Sequence, residues 1–148
     1  MIVYLDSSAI VKRYVLETGS DIVKEIYEKA LNGKLEVSFS AWNIGEVLGV
    51  FDKYLMRKWL REEDYKLARF QFISETLRLV RLKLVKIIPV RTKLLVSSWK
   101  LMEKYHVYEA DALQIVSAKY ANADQFLTGD KRLHEIATEE RLNSVCLG

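Results

Sequence analysis

Short apolar runs rich in strand-forming residues alternate along this chain with longer stretches of helical periodicity. Each run has the β-branched or aromatic character of a buried strand, and Pro89 ends the third of them. The predicted strands are residues 2–5, 35–39, 84–88, 125–128 and 143–147, the last as an edge strand. Strands that alternate with helices predict an α/β fold, in which helices cover both faces of a mostly parallel central sheet.

Turn and capping residues set the predicted helix boundaries. Ser7 or Ser8 can cap a first helix over residues 9–15, and Gly19 closes it. Ser40 caps the helix that follows the second strand. Gly45 and Gly49 on this helix are expected to let another backbone approach closely. The remaining predicted helices are residues 20–33, two helices within 53–83 with a break near 60–62, 91–105, the segment starting at Asp111, and 130–137.

Four acidic residues stand at the edges of apolar elements, where a carboxylate is costly unless something compensates its charge. Asp6 and Asp130 follow the first and fourth strands, and Asp111 opens a largely apolar helix. Glu46 shares a helical stripe with Trp42 and small or apolar neighbours. Sites form at the carboxyl ends of parallel strands, and crowded carboxylates repel unless a cation is present. The pattern therefore predicts one all-oxygen site for Mg²⁺ or Mn²⁺.

Single residues of this set also have plainer interpretations. Asp6 and Asp130 can be helix caps only, and Glu46 can be a salt-bridged core residue. His134 lies one helical turn after Asp130 and is a minor candidate for contact with the site, whereas His106 is expected to be structural or on the surface. No His or Cys spacing fits a zinc site, and no Ser–His–Asp, Cys–His or P-loop arrangement is recognisable.

Length and composition restrict the class of protein. The 148 residues fit a single domain, residues 1–148, and the only cysteine, Cys146, excludes a disulfide framework. Charge appears too early for a signal peptide and no apolar run spans a membrane, so a cytoplasmic location is expected. The net charge of +3 permits a polyanionic partner. Six basic residues can bind phosphates or simply form solvated helix faces: Arg78, Arg81, Lys83, Lys86, Arg91 and Lys93.

Residues 4–12, 40–47, 110–113 and 123–130 together resemble the PIN domain family, in its VapC-type branch of toxin ribonucleases. The resemblance covers essentially the whole chain and implies a PIN-like three-layer α/β/α fold. It implies a metal-dependent endoribonuclease that hydrolyses RNA phosphodiester bonds as the toxin of a toxin–antitoxin pair. Thr128 and Ser7 would be supporting polar residues. The implied catalytic and metal-binding set, with Mg²⁺ or Mn²⁺ as cofactor, is Asp6, Glu46, Asp111 and Asp130.

The implied partners are an RNA substrate, an antitoxin protein and a second copy in a homodimer. Residues 42–72 carry more large apolar side chains than one helical face readily buries, which is typical of an interface. Alternatively these helices pack against each other and the sheet; the residues concerned are Tyr54, Leu55, Met56, Trp59, Tyr65, Phe70 and Phe72.

Two other functions are weighed against the ribonuclease. A non-catalytic PIN-fold scaffold that binds proteins is disfavoured by the four intact acids. A phosphoacceptor signalling domain would place an acid pair after the first strand, where Asp6 is instead followed by Ser7 and Ser8. It would also place an Asp after the middle strand, where this chain has Pro89 and Val90.

Overall fold

The computed structural model describes residues 1–148 as a five-stranded parallel sheet flanked by helices on both faces. The elements are β1 (Ile2–Leu5), α1 (Ser7–Tyr14), α2 (Ser20–Leu31), β2 (Glu36–Ser40), α3 (Ala41–Met56), α4 (Glu62–Arg81), β3 (Val85–Ile88), α5 (Thr92–Tyr105), α6 (Glu109–Tyr120), β4 (Gln125–Thr128), α7 (Lys131–Glu139) and β5 (Ser144–Cys146). The strand order is β3-β2-β1-β4-β5, and every neighbouring pair is parallel. None of the helices is both long enough and apolar enough to cross a bilayer. The predicted α/β fold is confirmed.

The first strand lies in the middle of the sheet because β1 pairs with β2 on one edge and with β4 on the other. Alternate side chains of β1 point to opposite faces. Val3 and Leu5 enter the core formed with α1 to α4, whereas Tyr4 enters the core formed with α5 to α7. The Tyr4 ring stacks on Phe126 with a centroid distance of 5.6 Å. Burial on both faces explains why β1 is apolar without alternation.

Two predictions about the first helix are wrong. Asp6 caps α1 instead of Ser7 or Ser8, because its Oδ1 accepts a hydrogen bond from the Ala9 amide at 3.0 Å. Gly19 does not close α1, which ends at Tyr14, but precedes α2 with a φ of +91°. A side chain at position 19 would be strained in that conformation and would approach the Leu147 carbonyl oxygen to 2.8 Å.

The acidic residue Glu140, just after α7, ties together the helices on one face of the sheet. Its carboxylate accepts hydrogen bonds from Lys119 at 2.8 Å, Tyr105 at 2.6 Å and Lys104 at 3.1 Å. Burial alone would raise the pKa of Glu140, but these three donors outweigh it and lower the pKa to about 2. The contact joins α5, α6 and α7 and therefore stabilises the layer that carries Asp111.

The long helical region 53–83 breaks between α3 and α4 as predicted, and it divides its large apolar residues between core and surface. Phe72 is 1% exposed and packs edge-on against Phe51, so for this residue the alternative of packing within the domain is correct and the interface is wrong. Met56, Trp59 and Phe70 are instead 73%, 62% and 69% exposed. These three side chains lie on the surface of the chain, where the Trp59 ring also contacts Tyr54 and Arg57.

Candidate active site

All four predicted acids line one cavity of about 390 Å³ beyond the carboxyl ends of β1 and β4. Asp6 directly follows β1, and Asp130 follows β4 by one glycine. Glu46 comes from α3 and Asp111 from the first turn of α6. Four separate elements therefore bring carboxylates to one place, as expected for the carboxyl edge of a parallel sheet.

The buried carboxylate is that of Asp6, which is 5% exposed. Its Oδ1 accepts hydrogen bonds from the Ser8 hydroxyl and the Ala9 amide, and its Oδ2 accepts one from the Thr128 hydroxyl at 2.7 Å. Burial raises the pKa of Asp6 to about 6, an effect that these hydrogen bonds only partly reverse and that the charge of Asp130 increases. The Asp6 carboxylate is therefore held in one orientation by hydrogen bonds, and no positive charge compensates it.

Thr128 joins Asp6 to Asp130. The Thr128 hydroxyl donates to Asp6 and accepts a hydrogen bond from the Asp130 amide at 3.0 Å. The Asp130 Oδ1 caps α7 by accepting from the amides of Arg132 and Leu133. Capping and membership of the cavity therefore coexist in both Asp6 and Asp130, so the two interpretations of these residues are compatible.

Glu46 is half-buried and is held by Ser7, whose hydroxyl donates to Glu46 Oε1 at 2.7 Å. Glu46 has no salt bridge, so the alternative of a salt-bridged core residue is wrong. The expectation that Gly45 and Gly49 admit a second backbone is also wrong, since no atom outside the surrounding turns of α3 would lie within 4 Å of a Cβ at either position. Gly49 instead lines the cavity and keeps it open.

Asp111 is half-buried and accepts no hydrogen bond from another residue. Burial raises its pKa, and the negative charges of Asp130 and Glu46 raise it further. The N-terminus of α6 favours negative charge at this position, yet the carboxylate still lacks a cationic partner. The acids of this cavity therefore repel one another in the absence of a cation.

Neither histidine belongs to this site. His134 Nδ1 lies 2.7 Å from the Ser144 hydroxyl and does not line the cavity, so its possible contact with the site is not made. His106 is exposed at the end of α5 with a φ of +55°, which agrees with the expected surface position.

The donor chemistry of the cavity fits a hydrated, oxygen-preferring cation. As placed, no three acidic, His or Cys side chains converge into a closed metal cluster. Asp111 keeps both carboxylate oxygens free of hydrogen bonds, and Asp130 Oδ2 and Glu46 Oε2 are also free. Mg²⁺ commonly binds one or two carboxylates directly and keeps several waters, so an open site of this kind suits it. With no His or Cys in the cavity, the residues do not suit zinc.

Two buried amides also belong to the site, although no sequence motif pointed to them. Asn43 is fully buried one helical turn before Glu46, and Gln114 is 2% exposed one turn after Asp111. Gln114 lines the cavity. The available signal was a polar residue inside the apolar run 112–118, since buried polar side chains need partners.

A slightly larger cavity of about 470 Å³ lies between α1 and α4. Its one acid, Glu75, is paired with Arg13 through two hydrogen bonds of 3.0 Å and accepts a third from Tyr14. The charge of Glu75 is therefore already compensated. The smaller cavity, lined by the four acids, is the better candidate site because no positive charge compensates their carboxylates.

The family model of the PIN domain matches residues 3–139 of this chain. The fold is similar to that of FitAcB from Neisseria gonorrhoeae, with a TM-score of 0.66, 15% identity, and coverage of 97% of this chain and 96% of that chain. It is also similar to VapBC2 from Rickettsia felis bound to a DNA fragment from their promoter, with a TM-score of 0.63, 17% identity, and full coverage of both chains.

A third similar structure is VapC20 from Mycobacterium tuberculosis, a sarcin-ricin loop cleaving toxin. Its TM-score is 0.60 at 12% identity, with coverage of 86% of this chain and 91% of that chain. At these identities the likeness to solved structures concerns the fold alone. A comparison with curated protein sequences finds no significant match. The family model, which spans nearly the whole chain, shows that this protein belongs to the PIN domain family.

Proposed function

We propose that this protein is a metal-dependent endoribonuclease of the VapC type, which hydrolyses RNA phosphodiester bonds as the toxin of a toxin–antitoxin pair. The observation that carries the proposal is the meeting of Asp6, Glu46, Asp111 and Asp130 in one cavity. Membership of the PIN family and the similar fold of a sarcin-ricin loop cleaving toxin support it.

In this proposal Asp6 and Asp111 are the direct ligands of Mg²⁺ or Mn²⁺, because both carboxylates have raised pKa values and gain most from a cation. The bound cation would neutralise charge on the phosphodiester and make a water molecule more acidic. Glu46 and Asp130 complete the site and orient the attacking water with their free oxygens. Ser8 and Thr128 hold Asp6 in place while Ser7 holds Glu46.

Metal-dependent cleavage is the first test of this function. The purified protein is expected to cut RNA with Mg²⁺ or Mn²⁺ and to stop when excess chelator is added. Asp111→Asn is expected to abolish cleavage without unfolding the chain, because it removes one of several mutually repelling charges. Gel analysis of the RNA and circular dichroism of the variant measure the two effects.

The matched control is Asp52→Asn on α3, since Asp52 is exposed and does not line the cavity. This control is expected to cleave like the parent. Cleavage that persists in excess chelator would refute the metal mechanism. A folded parent that binds a protein partner but cuts no RNA under any metal condition would favour the non-catalytic scaffold.

We also propose a homodimer and an antitoxin partner for this chain. The similar FitAcB and VapBC2 structures support the partner by fold, and exposed apolar side chains supply a surface for it. This exposed surface comprises Met56, Trp59, Leu67, Phe70 and Leu77, all more than half exposed. The six basic residues of region 78–93 are likewise exposed, so that they are free to contact RNA phosphates.

A further inference from the structure

A chain of hydrogen bonds runs beneath the cavity and connects the elements that carry three of its acids. Tyr4 donates to Gln114 Oε1 at 2.8 Å, and Asn43 Nδ2 donates to the same oxygen at 2.9 Å. Asn43 Nδ2 also donates to the Ser7 hydroxyl at 2.7 Å, and Ser7 donates to Glu46 Oε1. Tyr4, Asn43 and Gln114 are at most 2% exposed, so solvent does not compete for these bonds.

The donor and acceptor groups of these residues determine the direction of each hydrogen bond in the chain of hydrogen bonds. An amide nitrogen can only donate, so the Ser7 oxygen must accept from Asn43 and its proton is left for Glu46. The orientation of Asn43 is fixed in turn, because its Oδ1 accepts from the Ser40 amide at 2.7 Å. The carboxylate of Glu46 therefore receives a hydrogen bond whose geometry is determined in the core.

Gln114 is the residue at which two branches of this chain of hydrogen bonds meet. Its Oε1 accepts two hydrogen bonds, whereas its Nε2 is buried and has no partner in the protein. A buried donor without a partner is costly, and Gln114 lines the cavity. An acceptor oxygen held in the cavity would satisfy this donor. Gln114 also follows Asp111 by one turn of α6, so it relates the position of that acid to Glu46 on α3.

We propose that Gln114 is a positioning residue of the candidate active site, which orients Glu46 through Asn43 and Ser7 and offers an N–H group to an acceptor oxygen in the cavity. This inference rests on the proposed function. Gln114 acts on the reaction through Glu46, and replacing it is expected to loosen the acid set that holds the cation.

The test measures Mn²⁺ binding to the chelator-treated protein by electron paramagnetic resonance, alongside RNA cleavage. Gln114→Met and Ser7→Ala are each expected to weaken Mn²⁺ binding by about 10–100-fold, the usual effect of removing an outer-shell partner of a metal site. The double variant is expected to bind no more weakly than the worse single variant, because both changes interrupt the same chain. The control is Ile115→Val, which shortens a buried side chain on the same helix that takes no part in the chain of hydrogen bonds. This variant is expected to bind Mn²⁺ like the parent.

Parental Mn²⁺ affinity in folded Gln114→Met overturns the inference, and so do fully additive losses in the double variant. If Gln114→Met does not fold, Ser7→Ala alone decides, because Ser7 is only half-buried and parental binding in that variant breaks the proposed chain. A parent that binds no Mn²⁺ instead overturns the proposed function itself. Binding by the parent together with unchanged variants overturns only the role of Gln114.

Discussion

The substitution Asp6→Asn is expected to make the metal-free protein more stable at neutral pH and to remove the proposed RNA cleavage. Burial raises the pKa of Asp6 from its ordinary value of 3.8 to about 6. At about 1.4 kcal/mol for each pK unit, the ionised carboxylate lowers the free energy of unfolding by about 3 kcal/mol. An amide keeps an oxygen that can accept from Ser8 and the Ala9 amide, so we expect about 1–3 kcal/mol of this to be recovered.

The pH dependence of this gain has a definite sign. Between pH values of about 4 and 6 the folded protein holds a proton on Asp6 that the unfolded chain has released, so the parent loses stability as the pH rises through this window. The Asn variant does not titrate there. Its advantage is therefore complete above pH 6, shrinks as the pH falls, and is absent below about pH 4.

Urea denaturation in the presence of chelator, from pH 3.5 to 8, measures the free energy of unfolding of parent and variant. Exposed Asp52→Asn is the matched control and is expected to change it by less than about 0.5 kcal/mol at every pH. A variant that is less stable than the parent at pH 7 would refute the argument, as would a difference that does not change between pH 4 and 6. Mg²⁺ is expected to stabilise the parent and to leave the variant unchanged.

Three further predictions concern the core, the helix layer and the surface. Phe72→Ala is expected to cost about 3–5 kcal/mol in urea denaturation and Phe70→Ala less than about 0.5 kcal/mol; equal costs would contradict the assigned burial. Glu140→Gln is expected to lower the melting temperature at neutral pH, because the hydrogen bonds that lower the pKa of Glu140 stabilise the parent only while the carboxylate is ionised. The difference in melting temperature between parent and variant is expected to narrow as the pH falls through 4.5 towards 2, and a difference that does not change with pH would contradict this. Met56→Ser combined with Trp59→Ser is expected to shift the proposed homodimer towards monomer in light scattering while the proposed RNA cleavage is retained; unfolding would place both residues in the core.

The strands and the place of the four acids were predictable because both depend on short-range patterns. An apolar run followed at once by Asp6, or by Gly129 and Asp130, marks a strand end that meets a helix start. At both positions the chain changes from a strand to a helix, and the parallel topology places the carboxyl ends of β1 and β4 at the same edge of the sheet. Asp111 and Glu46 were predictable as site residues because burying a carboxylate in an apolar helix is costly unless something compensates its charge.

The residues that the sequence did not reveal owe their role to contacts between distant segments. Gln114 and Tyr4 are 110 residues apart along the chain, and Asn43 and Gln114 are 71 apart. Nothing local marks such a pair. Gly49 was misjudged for a similar reason, since glycine leaves space equally for a backbone or for an open cavity, and only the tertiary structure distinguishes the two.

The central position of β1 has a consequence for protein synthesis. One neighbour of β1, the strand β4, is made more than a hundred residues after it, and Thr128 reaches Asp6 across 122 positions of the chain. A nascent chain still lacking residues 125–130 has an unpaired edge beside Asp6 and contains neither Thr128 nor Asp130. The carboxylate cavity is therefore incomplete until residues 125–130 have been made and have folded against β1.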